Sequence, residues 1–371
     1  MTEGGLDVVS LNCGSSSVKG ARYVVRDGEA QRVDGAMIDG LTATDDGASV
    51  RDAATKVFRR LTDDHGPPIA VGHRVVHGGP KLRDPVIVDD SVLAELRSVI
   101  AFAPLHLPAA LGAIDGLRAA EPSLTQVACF DTAFHATLPE VAWRLPIPQE
   151  LSDLGIRRYG FHGLSYEYIV GAVGAETLGR SVVAHLGNGA SLAAIDGGRS
   201  VATSMGLTPT GGIPMGTRTG DLDPGVLVHL AREQGYDAGR LEALVDDESG
   251  LLGLAGASEM RDLLERRERG DAAATLAVEV FCTRVAMEIG AYATVLGGLD
   301  TIVFTAGIGE RAVAVRAEVC GRLAHLGVAV DESANEQHAA VISTDTAAVT
   351  VRVVPTDEDA VIARHTAALV G

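Results

Sequence analysis

The sequence has few cysteines, few aromatic residues and very little lysine. Its four cysteines, Cys13, Cys129, Cys282 and Cys320, are scattered over 371 residues without a CxxC pair. This spacing excludes a zinc knuckle and a disulfide framework, and it fits a reducing compartment. The sequence also lacks an HExxH stretch and any Gly-Lys dipeptide. A metalloprotease helix and a Walker A phosphate loop are therefore excluded.

Positive charge and long apolar runs are scarce as well. The chain has 31 basic residues against 49 acidic ones, a formal net charge of −18. Nucleic-acid binding needs clustered Lys and Arg, and anionic membranes attract basic segments, so we expect neither partner. The longest apolar segment, residues 272–296, is interrupted by Glu279, Arg284 and Glu288, which predicts a buried helix rather than a membrane span. The acidic start of the chain has no signal-peptide pattern, so a cytoplasmic protein is expected.

The chain is rich in apolar residues and glycine. At 371 residues it exceeds what one hydrophobic core usually supports, so two domains are expected. Hydrophobic residues make up 46% of the composition and 44 residues are glycine. This composition is typical of a soluble globular enzyme with many tight turns.

The most informative short segment is NCGSSSVK at residues 12–19, which follows an apolar stretch. The pattern predicts a strand, a tight turn and a returning strand, with N–H groups and hydroxyls converging on one anion. Lys19 adds a positive charge, and it is one of only three lysines among 31 basic residues. A serine-rich hairpin turn without a ligand is the alternative, and the turn alone does not decide between them.

A second segment repeats this pattern. A strand predicted at residues 181–186 leads into Gly187-Asn188-Gly189, and a returning strand is predicted at residues 192–195. Gly14 and Gly187 are 173 positions apart, and solenoid repeats have much shorter periods. The repeat therefore indicates a duplicated domain.

Polar and glycine-rich segments follow three further predicted strands. Asp131 comes directly after the strand predicted at residues 126–130, and PTDED at residues 355–359 follows another. The strand predicted at residues 301–305 runs into AGIGE, residues 306–310, where glycine allows a nucleotide to approach the backbone. The ends of strands in α/β sheets usually carry function, so these segments are candidate site regions.

Two histidines lie four residues apart in a strand predicted at residues 69–77. Their spacing does not match a metalloprotease helix, because His73 and His77 lie in an extended segment. A histidine among apolar residues is usually a hydrogen-bonded core residue, so we predict that both are structural or support site residues without touching the ligand.

In nine ordered motifs the chain closely resembles the acetate kinase family. They are NCGSSSVK (12–19), GHRVVHGG (72–79), APLHLP (103–108), FDTAFH (130–135), YGFHG (159–163), HLGNGAS (185–191), MGTRTGDLDP (215–224), FTAGIGE (304–310) and PTDE (355–358). They cover the chain almost end to end, which makes the set far more specific than any single motif.

The resemblance implies an α/β fold, with two similar lobes of the duplicated actin-like ATPase (ribonuclease H-like) fold around a central nucleotide cleft. It predicts an N-terminal lobe of residues 1–134 plus 359–371 and a C-terminal nucleotide-binding lobe of residues 135–358. The implied activity is reversible, Mg²⁺-dependent in-line phosphoryl transfer from ATP to acetate, giving acetyl phosphate and ADP. Mn²⁺ is expected to substitute for Mg²⁺, and the implied assembly is a cytoplasmic homodimer.

The resemblance also assigns roles to individual residues. It implies catalytic groups at Asp131, His162 and Arg218. It implies a contact to the acetate carboxylate at Arg74 and a pocket for the methyl group at Val76, Leu105, Phe161 and Pro209. It implies magnesium positioning by Asn12 and Glu358. It implies nucleotide contacts at Lys19, His185, Leu186, Gly187, Asn188, Gly189, Glu259, Met260, Arg261, Gly307, Ile308, Gly309, Glu310 and Arg311.

This chemistry is consistent with the residue types. A carboxylate is ionised at neutral pH, so acetate attacks without a general base, and catalysis reduces to alignment and charge neutralisation. Asp131 is accordingly expected to orient a Mg²⁺-bound water or an arginine. Tyr166, Glu259 and Arg311 depart from the family's usual histidine, aspartate and asparagine, and Cys13 from its usual alanine.

Three alternatives remain open from the sequence. A propionate kinase of the same family would differ only in the volume of the apolar pocket. A non-catalytic ATP-driven module, like actin or a chaperone, would use the same fold, but the paired arginines Arg74 and Arg218 favour an enzyme. A sugar kinase is disfavoured, because two arginines suit a carboxylate better than a neutral polyol.

Overall fold

The computed structural model describes residues 5–14, 17–41, 48–104 and 106–371. These residues form two compact units. Unit 1 comprises residues 1–136, 161–168 and 357–371, and unit 2 comprises residues 137–160 and 169–356. Leu105, predicted to line the methyl pocket, lies outside the described residues, as do Ser15 and Ser16 of the predicted phosphate turn.

Unit 1 is built on a mixed sheet with the strand order β3-β2-β1-β4-β6-β5. The strands are β1 (Leu6–Cys13), β2 (Ser17–Arg26), β3 (Glu29–Asp39), β4 (Ala70–Val75), β5 (Val86–Ile87) and β6 (Thr125–Phe130). The first three form an antiparallel meander, while β4 runs parallel to β1, and β6 runs parallel to β4. The hairpin predicted at residues 12–19 is confirmed, since Asn12 on β1 pairs with Lys19 on β2.

Unit 2 repeats this arrangement with the order β11-β10-β7-β8-β9. Its strands are β7 (Ser181–Leu186), β8 (Ala190–Asp196), β9 (Arg199–Thr203), β10 (Thr301–Thr305) and β11 (Thr350–Val353). Strands β7 to β9 form the antiparallel meander, and β10 and β11 extend the sheet in parallel from β7. The shared topology confirms the predicted duplication and the α/β class.

Helices surround both sheets. They are α1 (Ala48–Asp63), α2 (Asp90–Ser98), α3 (Leu107–Ala120), α4 (Glu140–Trp143), α5 (Gln149–Asp153), α6 (Gly163–Val173), α7 (Ala175–Leu178), α8 (Pro224–Glu233), α9 (Ala238–Asp246), α10 (Gly250–Ala255), α11 (Met260–Glu268), α12 (Ala272–Val295), α13 (Ala306–Arg311), α14 (Val313–Arg322), α15 (Glu332–Glu336) and α16 (Glu358–Val370). The helix predicted at residues 272–296 is confirmed as α12, which Asp271 caps by accepting from the N–H groups of Ala273 and Ala274. Within the described ranges, none of these helices has the length and apolarity needed to cross a bilayer.

The C-terminal helix α16 lies against the sheet of unit 1 at very short range. A Cβ atom at Gly72 on β4 would come within 2.1 Å of Thr366 Oγ1 and 2.5 Å of Ile362 Cγ2, so only glycine fits. The hydroxyl of Ser10 on β1 donates to Asp359 Oδ1 at 3.2 Å. These contacts place the first turn of α16, including Glu358, at the end of β1.

His73 is a buried, neutral histidine in the middle of this sheet. Its Nε2 lies 2.7 Å from the side-chain oxygen of Gln126 on β6, and its side chain is almost fully buried. Burial lowers the pKa of His73 to about 4, against a small opposing effect of the Gln126 hydrogen bond. The structural role predicted for this residue is confirmed.

We expect His73 to make the stability of unit 1 dependent on pH. Its pKa is about 4 in the folded state and 6.5 in the unfolded chain, so below pH 6.5 protons bind the unfolded chain preferentially. The free energy of unfolding should therefore keep its full value above pH 6.5 and fall by up to about 3 kcal/mol as the pH drops from 6.5 towards 4. The test is urea unfolding of wild type and His73→Gln across this range, with His325→Gln at an exposed position as control. If the free energy of unfolding changed with pH equally in wild type and His73→Gln, the prediction would be contradicted.

Candidate active site

Three strands of unit 1 end at one edge of the sheet, and each brings a predicted site residue there. Asn12 is the penultimate residue of β1, Arg74 is the penultimate residue of β4, and Asp131 directly follows β6. Because β1, β4 and β6 are parallel, their carboxyl ends meet at the same edge. Lys19 lies opposite Asn12 on the neighbouring strand β2, with its side chain exposed.

Arg74 is the centre of this group. Its Nη2 donates to Asp131 Oδ2 at 2.6 Å, and its Nε lies 3.0 Å from Asp131 Oδ1. Its Nη1 donates to Asn12 Oδ1 at 3.2 Å, and Glu358 Oε2 lies 3.8 Å from Nε. The guanidinium therefore joins residues that are far apart in the sequence.

The electrostatics of this group favour a permanent cation. Burial by itself lowers the pKa of Arg74, but the charges of Asp131 and Glu358 outweigh it and raise that pKa above its usual range. Asp131 is 1% exposed and binds the guanidinium through both carboxylate oxygens. A carboxylate in a buried bidentate pair is suited to holding an arginine in place, in keeping with the role expected for Asp131.

The oxygen atoms around Arg74 have the chemistry to hold a hard divalent cation with help from a ligand. Asn12 Oδ1 and Glu358 Oε2 both lie within 4 Å of the guanidinium nitrogens. In the part of the chain that the structure describes, no three His, Cys, Asp or Glu side chains are grouped to bind a metal by themselves. Mg²⁺ is usually held by one or two protein oxygens together with waters and substrate phosphates, so this donor set fits it.

The segment YGFHG is fixed against the end of β6. The N–H of Gly163 donates to the carbonyl oxygen of Asp131 at 2.8 Å, and His135 Nε2 lies 3.0 Å from the carbonyl oxygen of Phe161. Between them His162 has a φ of +58°, a left-handed conformation that is unusual for histidine. Strained backbone of this kind occurs most often at functional sites.

The apolar residues predicted for the methyl pocket are buried where the structure describes them. Val76 and Phe161 belong to unit 1, and both are at most 6% exposed. Phe161 meets the ring of His77 at 5.5 Å, while Nδ1 of His77 accepts from the N–H of Gly79, which supports the structural role predicted for this histidine. Pro209 is buried in unit 2.

Tyr166, one of the departures from the family pattern, is buried beside the rings of Phe134 and His135.

Unit 2 carries the second hairpin. Residues 187–189 connect β7 to β8, and the N–H of Gly187 donates to the carbonyl oxygen of Gly189 at 3.1 Å. The carbonyl oxygen of Asn188 accepts from the N–H of Gly216, which ties the hairpin to the loop that carries Arg218. His185 and Leu186, the last residues of β7, are buried.

A cavity of about 480 Å³ opens beside this hairpin. It brings together three segments that the sequence analysis assigned to the nucleotide, at Gly187-Asn188, Glu259-Met260-Arg261 and Gly307-Ile308 with Arg311. Gly309 faces inward, and a Cβ atom there would lie 3.3 Å from the backbone of Phe304. Glu310 accepts from the N–H of Thr356 through its side chain.

Sequence reasoning missed part of the cavity wall. The further lining residues are Ser258, Leu264, Glu265, Glu268 and Ala312. Those on α11 follow Met260 and Arg261 at helical spacing, so the periodicity of the predicted helix could have placed them on the same face.

Arg218 lies in the glycine-rich loop between β9 and α8. Its Nη1 donates to the carbonyl oxygen of Pro209 at 3.2 Å, and its own carbonyl accepts from the N–H of Met215 at 3.0 Å. Gly250, at the start of α10, has a φ of +59°, and a Cβ atom there would lie 2.7 Å from the Arg218 carbonyl oxygen. The backbone at Arg218 is therefore closely packed, whereas its guanidinium is only partly buried.

We expect Gly163→Ala to destabilise the protein by roughly 1–3 kcal/mol, the usual cost of overpacking. A methyl group at this position would come within 2.2 Å of the Asp131 carbonyl oxygen, so the backbone would have to shift. Gly290→Ala is the matched control, because nothing lies within 4 Å of its Cβ position inside α12. The control should be neutral or stabilising by up to about 1 kcal/mol. Equal unfolding midpoints for Gly163→Ala and wild type in urea would contradict this reading.

Comparison with known proteins identifies relatives over nearly the whole chain. Residues 43–364 match the model of the acetokinase family. An acetate kinase from Streptomyces avermitilis is 42% identical over 397 aligned positions, covering 98% of this chain and 97% of the relative. An acetate kinase from Rhodopseudomonas palustris strain TIE-1 is 51% identical over 304 positions, covering 80% and 76% of the two chains.

Solved structures agree with the sequence relatives. A propionate kinase from Francisella tularensis is 34% identical with a TM-score of 0.88, covering 97% of this chain and 99% of that one. An acetate kinase from Porphyromonas gingivalis is 35% identical with a TM-score of 0.84, covering 99% and 100%. The family match and the identity of these relatives lead to one conclusion: the chain belongs to the acetokinase family.

Proposed function

We propose that the protein is an acetate kinase that transfers the γ-phosphoryl group of ATP to acetate, reversibly giving acetyl phosphate and ADP. The observation that supports this most directly is the partly buried cation of Arg74, held by the buried Asp131 beside Asn12 and Glu358. This group offers positive charge and oxygen ligands, and Asp131, its buried acid, is already bound to an arginine. Phosphoryl transfer to a carboxylate needs charge and alignment more than proton removal.

Acetate needs no base because its pKa lies far below neutral pH. Arg74 is assigned to its carboxylate, since a planar guanidinium fork matches a carboxylate in shape and charge. Asp131 holds that fork in orientation through its two oxygens. The methyl group is assigned to four apolar residues by the family resemblance, Val76, Leu105, Phe161 and Pro209.

Mg²⁺, with Mn²⁺ as a substitute, would be held by Asn12 and Glu358 and would neutralise charge on the ATP phosphates. Lys19, exposed on the strand beside Asn12, is assigned to the same phosphates. His162 and Arg218 are assigned to the oxygens of the transferring phosphoryl group, where donors fixed in advance lower the barrier to reaction.

The nucleotide is assigned to unit 2. The cavity beside the hairpin has the size of a nucleoside site, and Met260, Leu264 and Ile308 give it an apolar wall. Residues 185–189 are assigned to the phosphates, and residues 259–261 and 307–311 to adenosine. Backbone N–H groups of such glycine turns bind phosphate without a Walker A loop.

Propionate kinase is the second candidate, because the propionate kinase from Francisella tularensis is among the similar solved structures. The two activities differ by one methylene in the acyl pocket. A difference of that size in an apolar pocket changes specificity by about 1–3 kcal/mol.

The proposal extends to assembly and location. A homodimer is supported by α8 and α9, which bury no residues, and by Val226 and Val228 on α8, which are 39% and 47% exposed. A cytoplasmic location fits the four free cysteines and the use of ATP. The functional lobes predicted at residues 1–134 with 359–371 and at residues 135–358 remain a prediction.

Arg218→Ala should lower kcat for acetyl phosphate formation by roughly 10² or more, because a charged donor to the transition state is lost. The KM for ATP should change little. The measurement is acetate-dependent and Mg²⁺-dependent formation of acetyl phosphate, trapped as the hydroxamate. Arg240→Ala, which removes an exposed pair with Glu248 and a contact with the ring of Tyr236, is the control and should leave kcat unchanged. Near-normal turnover in Arg218→Ala would remove this residue from the proposed site.

Val76→Ala should raise the ratio of kcat/KM for propionate to that for acetate several-fold. The substitution removes two methyl groups from the proposed wall of the acyl pocket, and the KM for ATP should stay the same. Wild type should prefer acetate and use butyrate poorly. Val75→Ala, at the adjacent buried position, is the control and should leave the ratio unchanged. A wild-type preference for propionate would favour the second candidate, and an unchanged ratio in Val76→Ala would place Val76 outside the pocket.

A further inference from the structure

Arg316 on α14 is a fully buried arginine that the family resemblance does not assign. In the described ranges of the chain it forms no ion pair with a carboxylate. Burial lowers the pKa of its guanidinium, yet arginine keeps its charge in proteins. The neighbouring Cys320 is no counter-ion, because burial raises the pKa of this thiol to about 12.

Four acceptors surround the guanidinium. Nε donates to Asn335 Oδ1 at 2.7 Å, and Nη1 donates to the carbonyl oxygens of Gly309 and Glu310 at 3.0 and 2.8 Å. Nη2 donates to the carbonyl oxygen of Asn335 at 2.9 Å. Nδ1 of His338 lies 3.2 Å from Nη2, but it donates its own hydrogen to the Glu310 carbonyl oxygen and is therefore no acceptor for Arg316.

These four hydrogen bonds explain how a charge without a counter-ion is tolerated. A buried ion is strongly unfavourable unless hydrogen bonds replace its hydration. Lysine, with three donors on one nitrogen, could not reach the same acceptors. The site therefore requires the fork of an arginine.

The carbonyls of Gly309 and Glu310 belong to the last turn of α13, the helix that carries part of the cavity wall. Gly307, Ile308 and Arg311 of the same helix line the cavity. With six residues, α13 is too short to be stable alone, and its N-cap Thr305 makes no side-chain capping bond. Ala306 has a φ of +63°, a conformation that L-residues with a Cβ atom disfavour. The shape of this helix must therefore be imposed by its neighbours.

Arg316 supplies that constraint at the negative end of the helix. A cation bound to the final carbonyls compensates both the unpaired acceptors and the helix dipole. The anchor is extended by Asn335, whose Nδ2 donates to the carbonyl oxygen of Val313 at 3.1 Å. His338 adds a contact of 2.9 Å between its Nδ1 and the Glu310 carbonyl oxygen.

We propose that Arg316 is a positioning residue for nucleotide binding, which holds α13 by its terminal carbonyls so that Gly307, Ile308 and Arg311 form a fixed wall for the nucleotide. The proposal rests on the assignment of this cavity to the nucleotide. Arg316 is fully buried and does not line the cavity, so it would not contact the nucleotide itself. Its loss should weaken nucleotide binding more than it slows the chemical step.

The principal test is Arg316→Lys, which keeps the charge but removes two donors. ADP binding is measured by isothermal titration calorimetry, together with kcat and the KM values for ATP and acetate. The dissociation constant for ADP should rise about tenfold, the effect of one lost hydrogen bond to a charged group. The KM for acetate should stay within about twofold of wild type, an expectation that follows from the local nature of the change. Arg322→Lys on the exposed side of α14 is the matched control and should change neither value.

A second variant removes the risk that Arg316→Lys fails to fold. His338→Gly deletes the imidazole from an exposed position with a φ of +52°, where glycine is favoured. It should also weaken ADP binding while thermal unfolding stays cooperative. An unchanged ADP dissociation constant in a folded Arg316→Lys or His338→Gly protein would overturn the proposal, as would an equal rise in the KM for acetate.

The experiment separates failure of the nucleotide assignment from failure of the positioning role. If wild-type protein binds no ADP in the calorimeter, the nucleotide assignment of the cavity is wrong and the positioning role falls with it. If wild type binds ADP and forms acetyl phosphate while either folded variant binds ADP normally, only the positioning role is wrong.

Discussion

The pairing of Arg74 with Asp131 is the interaction on which the rest of the unit 1 site depends. It joins the carboxyl ends of β4 and β6 through a bidentate, largely buried ion pair. Asn12 and Glu358 gather around the same guanidinium, and the main-chain oxygen of Asp131 accepts from Gly163. Removing either partner would leave a buried charge uncompensated, which is far more unfavourable than losing a surface pair.

The duplicated topology gives both units the same kind of functional edge, but the two edges are used differently. In unit 1 the ends of β1, β4 and β6 carry charged and amide side chains around Arg74. In unit 2 the turn after β7 and the helix after β10 carry glycines that border a cavity, whose wall combines apolar side chains such as Met260 and Ile308 with charged ones such as Arg261 and Arg311.

Arginine dominates the basic residues, and the structure gives a reason. Arg22, buried beside Asp7, also donates to the carbonyl oxygens of Leu61 and Gly66, and Arg158 donates to three consecutive carbonyls at residues 203–205. Arg316 is the most deeply buried example, with all three of its nitrogens donating to acceptors inside the protein. Guanidinium groups of this kind hold loops and helix ends in place where a single ammonium group could not reach several acceptors.

The sequence by itself determined the hairpin at residues 12–19, the long helix α12, the duplication and the family, because these depend on local periodicity, turn chemistry and ordered motifs. β3 and the extent of the cavity wall on α11 were not predicted. Neither was α1, although Val50, Val57 and Leu61 recur at helical spacing and are buried. Only the tertiary structure decided that Asp131 holds Arg74 and that Arg316 holds α13. The first pairing joins residues 57 positions apart, and the second uses main-chain carbonyls. Every residue has such a carbonyl, so no sequence pattern can mark the ones that a buried guanidinium will bind.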